Sequence, residues 1–284
     1  MTPERSNTSQ RGFTLIEMLA ALGIFLLVTG AAFTLLTSSQ QQYQTETQVL
    51  NSFQEARLGL DQMVRDINDA GYPPPTFVNV NPTKVTSAPF GWSPGYTVPT
   101  PCQIGTGGGG TCFTPSDFDI IVETNADPSR DPLCAPICPV QWIRYQLGGP
   151  NGTTLMRAVV DKQSAHDPAV DTSPASGNLV PFVQNVVNNS PNLQIGQFQL
   201  SAAYPALFPG NNPVPIFQYI CDTPSTPQNP PQPCFLAPPA DNLPANIRDV
   251  MITLIVAAPL PDATTGRPRL VQLAGRGRRI NPNQ

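Results

Sequence analysis

Residues 11–36 of this chain read RGFTLIEMLAALGIFLLVTGAAFTLL. An apolar run begins at Phe13 and ends near Leu36, and its one ionisable residue is Glu17. About 20 apolar residues in a helix are enough to cross the hydrocarbon core of a bilayer. The run therefore predicts a membrane-spanning helix. The arginines that precede it favour a cytoplasmic N-terminus.

Glu17 is the residue of this run that its apolar composition does not explain. An aspartate at the centre of a membrane helix costs about 2.5–3.5 kcal/mol. A glutamate near one end costs less, because it can reach the lipid headgroups. A conventional secretory signal, with a shorter apolar core and small residues after it, is the alternative, and residues 37–39 offer a weak site of that kind. It explains neither Glu17 nor the Gly12–Phe13 junction.

The octapeptide RGFTLIEM at residues 11–18 resembles the cleavage and methylation motif of type IV prepilins. The resemblance implies that a prepilin peptidase cuts between Gly12 and Phe13, and that the new N-terminal Phe13 is methylated. Gly12 has no side chain, which suits a tight protease cleft. An unpaired charge is costly in a low-dielectric helix bundle. We therefore expect Glu17 to pair with the Phe13 ammonium of a neighbouring subunit in a fibre.

The segment after the apolar run predicts a continuation of the same helix. Apolar residues recur there at alternating spacings of four and three, which is one helical stripe. The stripe consists of Val49, Phe53, Ala56, Leu60, Met63, Ile67 and Ala70. Charged residues, Asp66 among them, occupy the other positions, and Gly71 with the prolines after it stops the helix. We expect the stripe to pack on the chain's own sheet rather than in a coiled coil with a partner.

The remainder of the chain predicts a β-rich domain with many connectors. The 35 prolines disfavour long helices and central strands. Strands are predicted at residues 118–122, 141–147, 154–160, 193–200, 216–220 and 250–256, with a hairpin turn at 148–152. The predicted fold is α+β and pilin-like: a long N-terminal helix, half membrane and half amphipathic, packed on an antiparallel β-sheet domain with long Pro-rich loops at 73–101 and 222–239.

The predicted organisation has four segments. A cytoplasmic leader (1–12) is cleaved after Gly12, and a transmembrane or fibre-core helix (13–36) follows it. An amphipathic continuation (37–70) then leads to an exported globular domain (71–284). The resemblance places the chain in the inner membrane before assembly, with its N-terminus in the cytoplasm, and afterwards in a pilus or pseudopilus.

Six cysteines, an even number in a chain with an export-type N-terminus, favour disulfides in an oxidising compartment. Sequence alone does not fix their connectivity. Local pairing is favoured because each pair closes a Pro- or Gly-rich loop. The preferred pairs are Cys102–Cys112, Cys134–Cys138 and Cys221–Cys234. A metal site at the second pair is the alternative, although structural zinc usually takes four ligands.

The sequence contains no converging set of catalytic residues. Its one histidine, His166, lies in a loop, and no Gly-x-Ser-x-Gly motif is present. The glycines at 107–110 lack a P-loop lysine, and the carboxylates Asp127, Asp131 and Asp167 lack calcium-loop spacing. We expect no enzymatic activity, no cofactor and no metal.

The predicted function is that of a structural minor pilin that initiates, caps or decorates a type IV pilus. The order of the late segments is similar to PilW-type minor pilins and to type II secretion pseudopilin J. A secretion pseudopilin is the alternative, and a pilus-borne adhesin or a secreted enzyme are alternatives of another class. The expected partners are the prepilin peptidase and other pilins. DNA is a further candidate partner, through the basic tail Arg267, Arg269, Arg276, Arg278 and Arg279.

Overall fold

A 54-residue helix, α1, spans Leu15–Asn68 and confirms the long helix that the sequence predicts. The computed structural model describes residues 12–74, 86, 89–91, 104, 115–125, 140–162, 179–262 and 265–280. The chain divides into two compact units, Met1–Thr47 and Gln48–Gln284, and α1 contributes to both. Gly71 follows the helix with φ 81°, a left-handed conformation that glycine adopts without steric cost.

In the first unit, α1 is apolar and exposed. The helix contains a stretch long and apolar enough to cross a membrane, and none of that stretch is buried. Nearly all of the large apolar side chains from Phe13 to Leu36 are exposed. Exposed apolar surface of this extent is typical of a segment that meets lipid or other protein chains.

Besides the second half of α1, the described residues of the second unit form ten strands, one short α-helix and four short 3-10 helices. The strands are β1 Asp119–Thr124, β2 Gln141–Gly148, β3 Thr154–Asp161, β4 Val180–Val183, β5 Gln194–Ile195, β6 Phe198–Gln199, β7 Phe217–Cys221, β8 Gln232–Pro233, β9 Ile247–Pro261 and β10 Pro268–Arg278. Helix α2, Leu200–Ala203, follows β6. Every strand pair among them is antiparallel.

The strands form two four-stranded sheets where the sequence predicted one. Their orders are β1-β2-β3-β4 and β10-β9-β7-β8, and β5 and β6 pair with each other. Val186, shortly after β4, bridges Val256 of β9 and so joins the two sheets. The buried Asn188 fixes this junction, because its amide donates to the carbonyls of Val214 and Thr253 and its oxygen accepts the Ile255 N–H.

Most predicted strands are present, but one is wrong. Residues 193–200 form two short strands about a turn at Gly196, followed by α2, rather than one strand. Gly196 has φ 64°, so the chain reverses where the apolar pattern alone suggested that it continues. The predicted hairpin at 148–152 is confirmed by the pairing of Gly148 with Thr154.

The stripe of α1 packs on this β-domain, as predicted. Its members are buried except Phe53, which is half-buried. Ala56, Met63 and Ile67 share one core with residues of both sheets, among them Tyr145 and Val250. Burial of apolar surface stabilises this contact, by about 25 cal/mol for each Å² removed from water.

Glycines let the helix approach the strands closely. A Cβ atom at Gly277 of β10 would lie 2.4 Å from Ile67, and one at Gly275 would lie 2.8 Å from Leu60. On the helix side, a Cβ at Gly59 would lie 2.4 Å from Val183. Any side chain at these positions would force the helix and the strands apart. The sequence pattern did not predict this role for the glycines.

The sequence groups Asp66 with the charged residues outside the apolar stripe of α1, but the structure shows that Asp66 is buried. Its carboxylate accepts hydrogen bonds from the Tyr145 hydroxyl (2.5 Å), from Arg157 (3.0 Å) and from Gln62 (2.7 Å). Burial, together with the charge of Asp66, raises the pKa of Tyr145 well above its ordinary value, so the hydroxyl keeps its proton and donates. These bonds attach the end of α1 to β2 and β3.

Candidate functional site

The predicted cleavage junction is an open backbone segment. Gly12 and Phe13 are both exposed, and the Phe13 side chain is 85% exposed. A Cβ atom placed on Gly12 would meet nothing within 4 Å. Packing against the described residues therefore does not require the absence of a side chain at Gly12. A tight protease cleft, as expected from the sequence, would favour glycine at this position.

Thr14 and Glu17 cap the start of α1. The Glu17 carboxylate accepts the Thr14 N–H (2.9 Å) and the Thr14 hydroxyl (3.0 Å), and the Glu17 N–H donates to the Thr14 hydroxyl oxygen (3.3 Å). This reciprocal arrangement is the capping box, a Ser or Thr followed three residues later by Glu or Gln. It satisfies backbone donors that the first turn of a helix would otherwise leave without partners.

The capping box gives Glu17 a local structural role that its position in an apolar run does not by itself suggest. The signal was present, since Thr14-Leu15-Ile16-Glu17 has the spacing of the motif. A carboxylate held by Thr14 costs less in an apolar run than one with no donor. The same carboxylate remains exposed and is able to meet a cation from outside the chain.

Other polar side chains in this part of α1 also bond to the helix itself. The Thr34 hydroxyl donates to the Gly30 carbonyl (2.7 Å), and the Thr37 hydroxyl donates to the Phe33 carbonyl (3.0 Å). These bonds satisfy the hydroxyl donors of Thr34 and Thr37 within the helix. They lower the cost of placing these two side chains in an apolar environment.

Of the predicted disulfides, the Cys221–Cys234 bond lies within the described residues and is formed, with 4.9 Å between the Cα atoms. It ties the end of β7 to the turn after β8. The other four cysteines, at positions 102, 112, 134 and 138, lie outside the described residues, as do His166, the glycines at 107–110 and the three loop carboxylates.

The basic tail is not one continuous cluster. Arg269 pairs with Asp262, and Arg276 pairs with Asp249 at 2.7 Å. Arg267 stacks over the Phe198 ring at 5.6 Å. Arg279 donates to the Ala245 carbonyl (2.8 Å), and Arg278 is 59% exposed. Most of the positive charge of the tail thus has a partner within the chain, which weakens the case for a continuous DNA-binding surface.

A concavity of the β-domain is a candidate ligand site. A cavity of about 830 Å³ lies beside β7, and its described lining is mostly apolar, with Asp117 the one charged residue. Among the residues that the structure describes, no group of three potential metal ligands occurs.

Comparison with known proteins also points to the start of α1. Residues 7–33 match the family model described as the prokaryotic N-terminal methylation motif. No curated protein and no solved structure matches the chain. The matched residues include the Gly12–Phe13 junction, the capping box and most of the exposed apolar run. The chain is thus identified through residues 7–33 as a carrier of the type IV prepilin signature.

Proposed function

We propose that this chain is a minor subunit of a type IV pilus or a related pseudopilus, made as a prepilin and cleaved between Gly12 and Phe13. The observation that carries the proposal is the prepilin signature on a helix whose apolar half is exposed. Such a helix needs a bilayer before assembly and a bundle of like helices after it. Both environments are those of a pilin. The role is structural rather than enzymatic.

The size of the β-domain favours a rare subunit. The second unit begins at Gln48 and carries two four-stranded sheets with long connections, such as residues 222–231 and 234–246 on either side of β8. A subunit that tiles a fibre benefits from a compact domain, because every copy must fit beside its neighbours. A domain of this bulk is better tolerated at a tip or at widely spaced positions.

The Cys221–Cys234 disulfide supports export of the β-domain. Disulfides form and persist in oxidising compartments and are rare in the cytosol. With the N-terminus in the cytoplasm, a single membrane crossing by the first half of α1 puts the β-domain on the exported side. The proposed location is therefore the inner membrane before assembly and the filament afterwards.

We assign to Glu17 a second role beyond helix capping. Cleavage before Phe13 creates an amino terminus four residues from Glu17. In a fibre core of low dielectric, the Glu17 carboxylate of one subunit is the natural partner for the Phe13 ammonium of the next. Thr14 holds this carboxylate until the subunit docks.

The decisive experiment is mass spectrometry of the mature N-terminus. We expect a chain that begins at methylated Phe13. Gly12→Val should leave the precursor uncut, whereas Gly23→Val should be processed normally. Gly23 is the matched control because an added side chain has open space at both glycines. A mature start near Gln40 would show that a secretory signal was removed instead, and would overturn the proposal.

Glu17 variants separate capping from charge pairing. Glu17→Gln keeps an acceptor for Thr14 but removes the charge, so we expect normal membrane insertion and poor incorporation into filaments. Thr14→Ala removes the cap but keeps the charge, so we expect incorporation to continue. Immunoblots of sheared filaments and membranes measure both. Equal incorporation of Glu17→Gln and the unmodified chain would remove the proposed pairing.

Quantitative proteomics of sheared filaments tests the minor role. We expect this chain at a small fraction of the main subunit, and we expect its deletion to reduce filament assembly or the secretion that depends on it. If this chain were the dominant component, the minor role would be wrong and the pilin role would remain.

A further inference from the structure

The outer edges of the two four-stranded sheets differ in length and in how much of their backbone is covered. Along β1, the backbone is covered by the segment before it, because Gly91 N–H donates to Ile121 O (2.9 Å) and Glu123 N–H donates to Pro89 O (3.1 Å). The β8 edge is two residues long and includes a proline. The chain after β4 bridges to β9. The fourth edge, β10, is 11 residues long.

Backbone hydrogen bonds show which residues of β10 face outward. Arg279 N–H donates to Arg248 O (3.0 Å), toward the β9 side, whereas Arg278 N–H donates to the Asn68 side chain (2.8 Å) on the other side. Along an antiparallel edge strand this direction alternates with each residue. The register with β9 is unbroken from Leu270 to Arg278.

It follows that Gln272, Ala274 and Arg276 direct their N–H and C=O groups away from β9. Strand β9 confirms the assignment: Thr253, which is opposite Ala274, donates its N–H to Ile216 O on the far side. All three outward residues are exposed. Within the described part of the chain, no group bonds to their backbone.

The contact with α1 determines on which face of β10 each side chain lies. Gly275 and Gly277 face α1, where no side chain fits. Arg276 and Arg278 consequently lie on the opposite face, and they are 55% and 59% exposed. Strand β10 contains no Asp or Glu. Asp249 of β9 is the carboxylate that both arginines approach, at 2.7 and 3.9 Å, so the edge keeps net positive charge.

We propose that the outward edge of β10, from Gln272 to Arg276, is a docking site for an extended strand of another protein that carries carboxylates. Strand addition supplies main-chain hydrogen bonds, and side chains at alternate positions supply specificity. A carboxylate opposite Arg276 gives a favourable cross-strand pair, and Arg278 adds positive charge on the same face of β10. This inference concerns the β-domain and does not depend on the proposed processing or filament role.

The charge of the edge also argues against a second copy of this chain as the occupant. Two β10 edges would bring together strands that each carry arginines and no carboxylate, and like charges across strands are destabilising. Charged residues on an edge are a known protection against pairing with like strands. On β10, the same arginines select an acidic strand and disfavour a copy of the chain.

The test uses the full chain in detergent micelles and two synthetic peptides of about nine residues, since an edge of this size pairs with a strand of five to six residues or slightly more. One peptide alternates valine with glutamate, and the other alternates valine with lysine. We expect the glutamate peptide to bind and the lysine peptide to bind at least tenfold more weakly. Amide hydrogen exchange should slow at Gln272, Ala274 and Arg276 when the glutamate peptide is present.

Ala274→Pro is the variant that disrupts the outward edge of β10, and Ala274→Val is its control. Proline at this position removes an N–H that faces away from β9, so the β9 ladder stays complete. We expect Ala274→Pro to weaken peptide binding at least tenfold, and Ala274→Val, which keeps the N–H, to bind as the unmodified chain does. Thermal unfolding checks that both variants fold.

Several outcomes would overturn the proposal. Unchanged exchange at the three amides with the glutamate peptide is one, and it does not depend on any variant folding. Equal binding of the two peptides is another, and so is binding that survives in a folded Ala274→Pro variant. Self-association of the unmodified chain that Ala274→Pro abolishes would identify a second copy as the occupant instead.

Discussion

The two halves of α1 belong to one helix but differ in what surrounds them. Up to Thr47 the helix exposes its apolar residues, and from Gln48 it buries a stripe against the two sheets. From Phe13 to Leu36 the first half has apolar residues on all sides, whereas the second half has them on one side. In this helix, the one-sided stripe marks a partner within the chain, and the all-round apolar run is left without one among the described residues.

The largest expected effect that tests this comparison is the loss of Asp66. Asp66→Ala would leave Arg157 and Tyr145 without their buried carboxylate, and breaking such a pair costs about 3–5 kcal/mol. We expect denaturant unfolding of the full chain in micelles to show this loss. Asp61→Ala, on the exposed side of the same helix, should change the free energy of unfolding by less than about 0.5 kcal/mol. Equal effects of the two substitutions would contradict the anchoring role of Asp66.

A charge in the first half should act on insertion rather than on folding of the β-domain. Leu26→Arg replaces an exposed apolar residue in the predicted span, and the free energy of insertion should become less favourable by about 3 kcal/mol. Membrane fractionation measures this change. Leu58→Arg is the control, because Leu58 is at least as exposed as Leu26 but lies in the second half. If Leu58→Arg impaired insertion as strongly, the division between the two halves would be wrong.

The close contact of the second half with β10 predicts a smaller loss. Gly277→Val places methyl groups where Ile67 lies, and overpacking of this kind costs about 1–3 kcal/mol. The free energy of unfolding of the full chain is again the measurement. Ala274→Val, on the exposed side of the same strand, is the control and should cost little. A tolerated Gly277→Val would mean that α1 is able to shift on the strand.

The smallest expected effect is at the capping box. Thr14→Ala removes the partner of Glu17 at the helix start, and the loss of an N-cap costs about 1 kcal/mol. Hydrogen exchange at Glu17 and Met18, whose amides bond to Thr14, should become about fivefold faster, as expected from that energy. Thr45→Ala removes only a bond to the carbonyl of Gln41 and should leave these amides unchanged. If exchange at the two amides did not change, the capping role of Thr14 would be contradicted.

Much of the helix and of the N-terminal site could be predicted because the necessary information is local. The processing motif, the apolar run and the stripe from Val49 to Ala70 each lie in one contiguous stretch. The capping box was equally local, and its spacing was readable in the sequence. Strands with an alternating apolar pattern, such as β2 and β3, could be predicted for the same reason.

The rest depended on residues that are distant along the chain. Strand β10 has few apolar residues, and its glycines gain their role only when α1 packs on them. The predicted strand at 193–200 failed because the turn at Gly196 interrupts an apolar segment. The junction of the two sheets depends on contacts between distant segments, such as the bridge from Val186 to Val256.

Composition and spacing over a few tens of residues are enough to predict the prepilin signature at residues 7–33 and the apolar helix that overlaps it. Tertiary structure alone decided that Asp66 is buried, since its partners Tyr145 and Arg157 lie 79 and 91 residues further along the chain. It also decided which face and which backbone groups of β10 point outward. A side chain's surroundings depend on the elements that pack against it, and those elements are brought together only by folding.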